Sequence, residues 1–186
     1  MTRTLFVWIC TSACALLLTF GFTGCDPEAA PAPPSTDIHL ASYIVSGDTI
    51  ALETPVNRTE RAGYDNQPQF TRNGEALLYT SERGGQTDIY RWPLDEEAPQ
   101  PLTATETSEY SPTPIDDSTY TVVRVEPDGA QRLWAFPLDG DTLPATDGTL
   151  FLAEVEPVGY FAWAGAEQVA LFVLGDPPTL QWASRT

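Results

Sequence analysis

Lysine is absent from this 186-residue chain, and histidine occurs only once, as His39. All nine basic residues are arginines, and 26 aspartates and glutamates outnumber them, giving a formal net charge of −17. Such a surface repels polyanions, so we expect no binding to nucleic acid. One histidine also excludes most metal sites and leaves His39 as the single candidate base for a Ser-His-Asp triad. At an alternating strand position, His39 is more typical of a sheet surface. A salt-rich habitat or a genome that favours arginine codons would explain the composition.

Cysteine is scarce as well, and the position of Cys25 is informative. Arg3 precedes the apolar run Leu5–Phe20, and the small residues Thr23-Gly24 stand directly before Cys25, which is the order of parts in an export signal. The pattern resembles a bacterial lipoprotein lipobox, with Phe22 where leucine is more usual. The resemblance implies that residues 1–24 are a lipoprotein signal peptide and that the thiol of Cys25 carries lipid. The alternative is an uncleaved transmembrane helix, since 5–24 is about long enough to span a bilayer.

Removal of residues 1–24 would change both the number of cysteines and the net charge of the protein. Cys10 and Cys14 leave with the signal, so the exported chain could form neither an internal disulfide nor a thiolate zinc site. Arg3 leaves too, and eight arginines against 26 acidic residues give a net charge of −18. We therefore expect a membrane partner through the lipid on Cys25, a location at the cell envelope, and no cofactor or metal.

After the predicted signal, the sequence indicates a tether over residues 25–36 and an all-β domain from residue 37 onward. Residues 25–36 hold four prolines, which favour an extended chain rather than a packed one. From residue 37 onward, short runs of β-branched and aromatic residues alternate with turn-forming clusters. Thr119–Val125 is the clearest strand, and only Leu150–Val155 is ambiguous between strand and helix. Asn73-Gly74 predicts a hairpin, because both residues tolerate positive φ.

Internal repetition predicts the architecture. Similar strands recur with first apolar positions at Ile38, Ile89, Leu133 and Leu180, which are 51, 44 and 47 residues apart. A period of about 40 to 50 residues in an all-β chain is typical of propeller blades, each of four antiparallel strands. A β-sandwich would also have short strands, but nothing in that architecture requires this spacing.

One repeat carries a family resemblance. The stretches Pro68–Gly74, Tyr79–Tyr90 and Pro101–Thr103 look like a TolB-type propeller repeat, and the two later repeats keep its strand spacing and aromatic residues. Residues 37–186 are therefore expected to be TolB-like β-propeller repeats. Within the family pattern, Arg83 is a blade-stabilising ion-pair or hydrogen-bonding residue rather than a ligand-binding one.

The number of blades is unusual. Repeats begin near Asn66, Tyr110 and Gly159, and residues 37–52 add two outer strands, which makes about three and a fraction blades. Closed propellers use about four to eight. We expect an incomplete propeller from a truncated longer gene, or alternatively a ring completed by oligomerisation. If the end is unfinished, four apolar residues there should be partly exposed: Leu171, Val173, Leu180 and Trp182.

Candidate catalytic residues are few. The carboxylate clusters Asp95-Glu96-Glu97, Asp116-Asp117 and Asp139-Gly140-Asp141 lack the spacing of a calcium loop, so solvated turns are the simpler interpretation. The first functional hypothesis is a non-enzymatic, lipid-anchored scaffold that binds a protein or ligand at a propeller face. The resemblance to the TolB-type repeat does not assign the role of TolB to this chain. The second is the gating propeller of a peptidase or hydrolase whose catalytic domain is missing, and the third is a structural lipoprotein without a ligand.

Overall fold

The computed structural model describes residues 34–138 and 144–185. The signal peptide predicted over residues 1–24 and the lipidation site Cys25 lie outside these ranges, as does most of the tether 25–36. Within the described ranges the chain forms strands, turns and bends and contains no helix. The predicted all-β class is therefore confirmed.

Four short strands precede the blades: β1 (His39–Leu40), β2 (Tyr43–Ser46), β3 (Thr49–Leu52) and β4 (Val56–Asn57). Strand β1 pairs antiparallel with β4, and β2 pairs antiparallel with β3 as a separate hairpin. The two outer strands expected in residues 37–52 thus form no part of a four-stranded sheet in this structure.

Three antiparallel sheets follow, each built from strands consecutive in sequence. Blade 1 contains β5 (Asp65–Phe70), β6 (Ala76–Glu82), β7 (Thr87–Pro93) and β8 (Gln100–Pro101); blade 2 contains β9 (Ser108–Pro114), β10 (Thr119–Val125), β11 (Gln131–Pro137) and β12 (Thr149–Leu150); blade 3 contains β13 (Val158–Ala164), β14 (Gln168–Val173) and β15 (Thr179–Ser184). The four-stranded blades expected from the repeats are confirmed, and blade 3 has three strands among the described residues.

The local sequence explains the strand boundaries. β10 coincides with the predicted run of strand formers Thr119–Val125. Asn73-Gly74 lies in the connection between the paired strands β5 and β6, as predicted. The connection is five residues long, and of these two residues only Gly74 has positive φ, at 72°. The ambiguous stretch Leu150–Val155 ends the short β12 and continues as turns and bends.

Adjacent blades pack face to face through apolar cores. The core between blades 1 and 2 contains Leu78, Ile89, Leu102, Tyr120, Val122, Phe136 and Leu138, all buried. Tyr120 stacks on Phe136 with ring centroids 5.8 Å apart. Each of these side chains contributes about 1.5–3 kcal/mol through removal from water, so this interface fixes the relative position of the two blades.

A second core joins blades 2 and 3, and it corrects one prediction. Val123 and Leu133 of blade 2 pack with Leu171 and Val173 of blade 3, which are 0% and 7% exposed. The expectation that these two residues would be exposed at an unfinished end was wrong, because alternate residues of β14 point toward blade 2. The other two were predicted correctly: Leu180 is 80% exposed and Trp182 is 68% exposed.

The opposite face of blade 1 is covered by the segment that precedes it. Ile38 packs into a buried cluster with Leu77, Tyr79 and Trp92. The guanidinium of Arg58 lies 4.5 Å from the ring centroid of Trp92, a cation–π contact. The segments on either side of the exposed β2–β3 hairpin therefore cap this blade, and the sequence repeats did not reveal that role.

A buried ion pair ties this cap to blade 1. Arg61 Nη2 lies 2.7 Å from Asp65 Oδ1, and the Asp65 side chain is wholly inaccessible to solvent. Ser81 donates to the same oxygen at 2.6 Å, and Arg61 also donates to the carbonyl oxygen of Glu82 at 2.8 Å. The cap, β5 and β6 thus meet at one carboxylate.

Arg83 has the stabilising role that the family pattern implied. Its Nε donates to the hydroxyl of Ser81 at 3.2 Å, and its guanidinium lies 4.1 Å from the ring centroid of Tyr90. Both partners belong to blade 1, so Arg83 stabilises the blade that contains it.

Candidate functional site

The first strands of the three blades, β5, β9 and β13, border an open cleft of about 380 Å³. Each is the edge strand of its sheet, and so it offers backbone N–H and C=O groups that no neighbouring strand in the sheet takes up. The polar and aromatic residues that line the cleft are Tyr64, Gln67, Tyr110, Ser111, Gln131 and Tyr160; the rest of the lining is aliphatic or glycine. We consider this cleft the candidate functional site.

Bulges shape the cleft at equivalent points of the three inner strands. The register of β5 shifts between Asn66 and Gln69, and similar shifts occur in β9 and β13. Gln67 has φ of 56° and Ser111 has φ of 57°, both in the left-handed region. That conformation costs a residue with a side chain about 1–2 kcal/mol. Strain of this kind is concentrated at functional sites, which motivates a functional interpretation.

The side chain of Gln67 connects blade 1 to the bulge of blade 2. Its Oε1 accepts a hydrogen bond from the backbone N–H of Ser111 at 2.8 Å and another from the hydroxyl of Thr80 at 2.9 Å. The amide Nε2 remains as a donor for which the described residues supply no hydrogen-bond acceptor. One glutamine therefore fixes the two bulges relative to each other and leaves a donor for an occupant.

Three tyrosines give the cleft its aromatic character. Burial desolvates the phenolate and raises the pKa of Tyr64 above its usual value, and the neighbouring Tyr110 adds to the shift. Tyr64 thus stays neutral at physiological pH and can both donate and accept hydrogen bonds. Tyr160 is 64% exposed, with its ring centroid 6.1 Å from that of Phe172. Tyrosines with an apolar ring and a polar tip are frequent in binding surfaces.

Electrostatically the cleft is neutral. None of its ten lining residues is charged, although the chain carries 26 acidic residues. The lining also contains no histidine and no cysteine, so among the described residues it offers neither a general base nor the usual soft metal ligands. The chemistry of these groups suits non-covalent binding through aromatic contacts and neutral hydrogen bonds.

The residues that the sequence singled out lie elsewhere. His39 is exposed on β1, where it pairs with Asn57. Asp116 accepts hydrogen bonds from Ser118 and lies 3.4 Å from Arg185, so it closes a turn. Residues 139–141 lie outside the described ranges. Within residues 34–138 and 144–185, no group of three or more His, Cys, Asp or Glu side chains is arranged to hold a metal ion.

Glu109, on β9 next to Tyr110, is a buried acid that sequence reasoning missed. It is 0% exposed, and its carboxylate accepts hydrogen bonds from the hydroxyls of Thr103 at 3.1 Å, of Thr107 at 3.4 Å and of Thr105. Arg124 Nε lies 3.6 Å away. Burial raises the pKa of Glu109 to about 7, because the threonines and Arg124 offset the desolvation of the carboxylate only in part.

A sequence pattern shared by blades 1 and 2 could have revealed Glu109. Asp65 precedes Pro68 by three residues, and Glu109 precedes Pro112 by the same distance. Both acids are buried at the start of an inner strand, 44 residues apart. An acidic residue three positions before proline thus occupies the same place in blades 1 and 2.

The raised pKa makes a prediction about stability. The folded protein holds the Glu109 proton up to about pH 7, whereas an unfolded chain releases it near the ordinary value of 4.5. Between these pH values the native state binds more protons, so the free energy of unfolding should fall as pH rises, by up to about 3 kcal/mol. Glu109→Gln cannot ionise and should flatten this slope. Urea unfolding at several pH values between 4.5 and 8 measures it.

The matched control is Glu106→Gln, which removes an exposed carboxyl group from the connection that leads into β9. It should leave the pH dependence of the wild type unchanged. Equal slopes for wild type and Glu109→Gln would contradict the assignment.

Among the described residues, no helix is both long and apolar enough to cross a bilayer.

Comparison with known proteins shows the fold. No protein-family model and no curated protein matches the sequence. Among solved structures, TolB from Acinetobacter baumannii superposes with a TM-score of 0.58 at 15% identity, over 79% of this chain and 38% of that chain. A puromycin-hydrolyzing peptidase from Mycobacterium tuberculosis superposes with a TM-score of 0.57 at 20% identity, over 82% of this chain and 23% of that one. The chain has a TolB-like β-propeller fold and spans well under half the length of either protein.

Proposed function

We propose that this array of TolB-like propeller blades is a non-enzymatic binding scaffold at the cell envelope. Lipid on Cys25 holds it at a membrane, and the cleft between the inner strands holds an extended segment of a protein partner. The observation that carries the proposal is the cleft itself: neutral, lined by tyrosine and amide groups, and bordered by three edge strands.

The edge strands favour a peptide over a compact small molecule. An extended segment can pair its own backbone with the unpaired groups of an edge strand while its side chains enter the spaces between the tyrosines. Tyrosine and serine are also frequent in surfaces that recognise proteins, because they combine contact area with hydrogen bonding. The strong negative charge elsewhere selects against acidic partners and leaves the neutral cleft accessible.

Site-specific photo-crosslinking in the native host tests the proposal. A photoreactive phenylalanine analogue placed at Tyr110 or at Tyr64 should give a discrete cross-linked product with another protein. The same analogue at Phe70, an aromatic residue on β5 that is 50% exposed and outside the cleft lining, should not give that product. Products of equal yield at all three positions, or none at either cleft position, would contradict the proposal.

A second candidate function is the gating propeller of a peptidase or hydrolase. The structural likeness to the mycobacterial peptidase favours it, and this chain covers 23% of that protein. Such a role requires a catalytic domain encoded together with these blades. A nucleophile motif in the neighbouring reading frame, together with peptidase activity of the joined product, would replace the scaffold with this function.

A further inference from the structure

The β2–β3 hairpin has an apolar face without a core to cover. Tyr43 pairs with Leu52 and Val45 pairs with Ile50, so these four side chains share one face of the hairpin. They are between 60% and 73% exposed. A two-stranded hairpin is marginally stable on its own, and this one needs a surface for that face.

Blade 3 presents a second such surface on the side away from blade 2. Tyr160 and Leu180 both pair with Phe172, and Trp182 pairs with Ala170, which places these side chains on one face of the sheet. Tyr160, Leu180 and Trp182 are 64%, 80% and 68% exposed. The corresponding faces of blades 1 and 2 are buried against a neighbour, so this face has the chemistry of a blade interface.

We propose that the β2–β3 hairpin of one copy of this chain packs on the outer face of blade 3 of a second copy. The contact is head-to-tail, so repetition of it gives a ring where the rotation between copies closes and an open filament where it does not. The existing interfaces support the hairpin of a second copy as the group that covers this face, since each blade of the array already packs an apolar face on the next blade. Tyr160 belongs both to this face and to the lining of the cleft, but the contact does not depend on what the cleft binds.

Charge favours a second copy of this protein in this orientation. Strands β2, β3, β13, β14 and β15 contain no charged residue, whereas the chain as a whole carries a net charge of −17. Two such chains repel each other over most of their surfaces. The strands of the hairpin and of blade 3 can therefore meet without a charged residue between them, and the carboxylates of Asp48, Glu167 and Asp176 lie in the turns at the strand ends.

The available area is sufficient. The four hairpin side chains and the three most exposed ones on blade 3 each offer on the order of 100 Å². One contact would therefore remove roughly 700 Å² from water, and a closed pair with two contacts about twice that. Stable interfaces bury about 1,200–2,000 Å² in total, so a closed pair falls within that range.

Disulfide trapping tests the contact in the 186-residue chain, produced with its predicted signal. Two differently tagged forms, one with Ile50→Cys and the other with Leu180→Cys, are produced together and oxidised in membranes. The mixture should give a cross-linked dimer that contains both tags, and neither form alone should give it. Since Cys10 and Cys14 lie in the predicted signal and Cys25 in the lipobox, few other thiols compete, and the unsubstituted chain provides the background.

The control moves the cysteine to the other face of the same hairpin. Thr49→Cys, next to Ile50, combined with Leu180→Cys should lose the dimer. Both Ile50 and Leu180 are strongly exposed, so neither substitution disturbs a core. Failure of the Ile50→Cys and Leu180→Cys mixture to cross-link, or equal yield with the Thr49 control, would overturn the proposal.

Discussion

Replacement of Cys25 by serine should abolish incorporation of labelled fatty acid and leave the precursor at its full size. Serine lacks the thiol on which lipid is attached, and the resemblance of Phe22–Cys25 to a lipobox places cleavage directly before this residue. Because no other cysteine follows residue 25, no second thiol can take the lipid, and the loss of labelling should be complete. Metabolic labelling followed by electrophoresis measures both results.

Two controls separate lipidation from a membrane-spanning segment. Cys14 lies inside the apolar run, so Cys14→Ser should leave the fatty-acid labelling and the size of the protein unchanged. Exchange of residues 1–25 for an export signal that is cleaved without lipid should deliver the blades to the soluble fraction. Undiminished labelling of Cys25→Ser would refute the site, and a Cys25→Ser protein of the same size as the wild type would favour an uncleaved helix.

The second large effect is expected at Asp65. Asp65→Ala removes the acceptor of both Arg61 and Ser81 and leaves polar groups without their partner in a solvent-free position. Breaking a buried pair by removal of one member is strongly destabilising, and the partial exposure of Arg61 moderates the cost. We expect a loss of about 3 kcal/mol in the free energy of unfolding. Urea titration followed by tryptophan fluorescence measures it.

Asp95→Ala provides the comparison for Asp65, because it removes an exposed carboxylate from a turn in the same blade. Its effect should stay within about 0.5 kcal/mol. If both substitutions had equally small effects, the carboxylate of Asp65 would have no special role in joining the cap to blade 1.

The architecture could be predicted because it depends on local patterns. β10 is a run of strand formers, and the recurrence of strands every 44 to 51 residues is visible in the letters alone. The role of Arg83 was predicted correctly because it follows from the best-matching repeat. These features can be predicted without knowing which strands and blades pack against each other.

The features that were missed depend on long-range contacts. The burial of Leu171 follows from which face of β14 meets blade 2, and periodicity cannot distinguish the two faces of a sheet when both are apolar. The burial of Glu109 depends on three threonines and on Arg124 arriving at one place. The left-handed conformations of Gln67 and Ser111 run against the preferences of those residue types, so propensity alone would have predicted extended backbone.

The Gln67 side chain has a consequence for affinity. By accepting from Ser111 N–H and from the Thr80 hydroxyl at once, it holds the inner strands of two blades at a set separation before any occupant arrives. A peptide that enters would then lose little free energy to ordering of the protein, since the entropy of fixing this wall is lost during folding instead. Under the proposed function, the strained bulges are a form of preorganisation, and the width of the cleft would select its occupant rather than adjust to it.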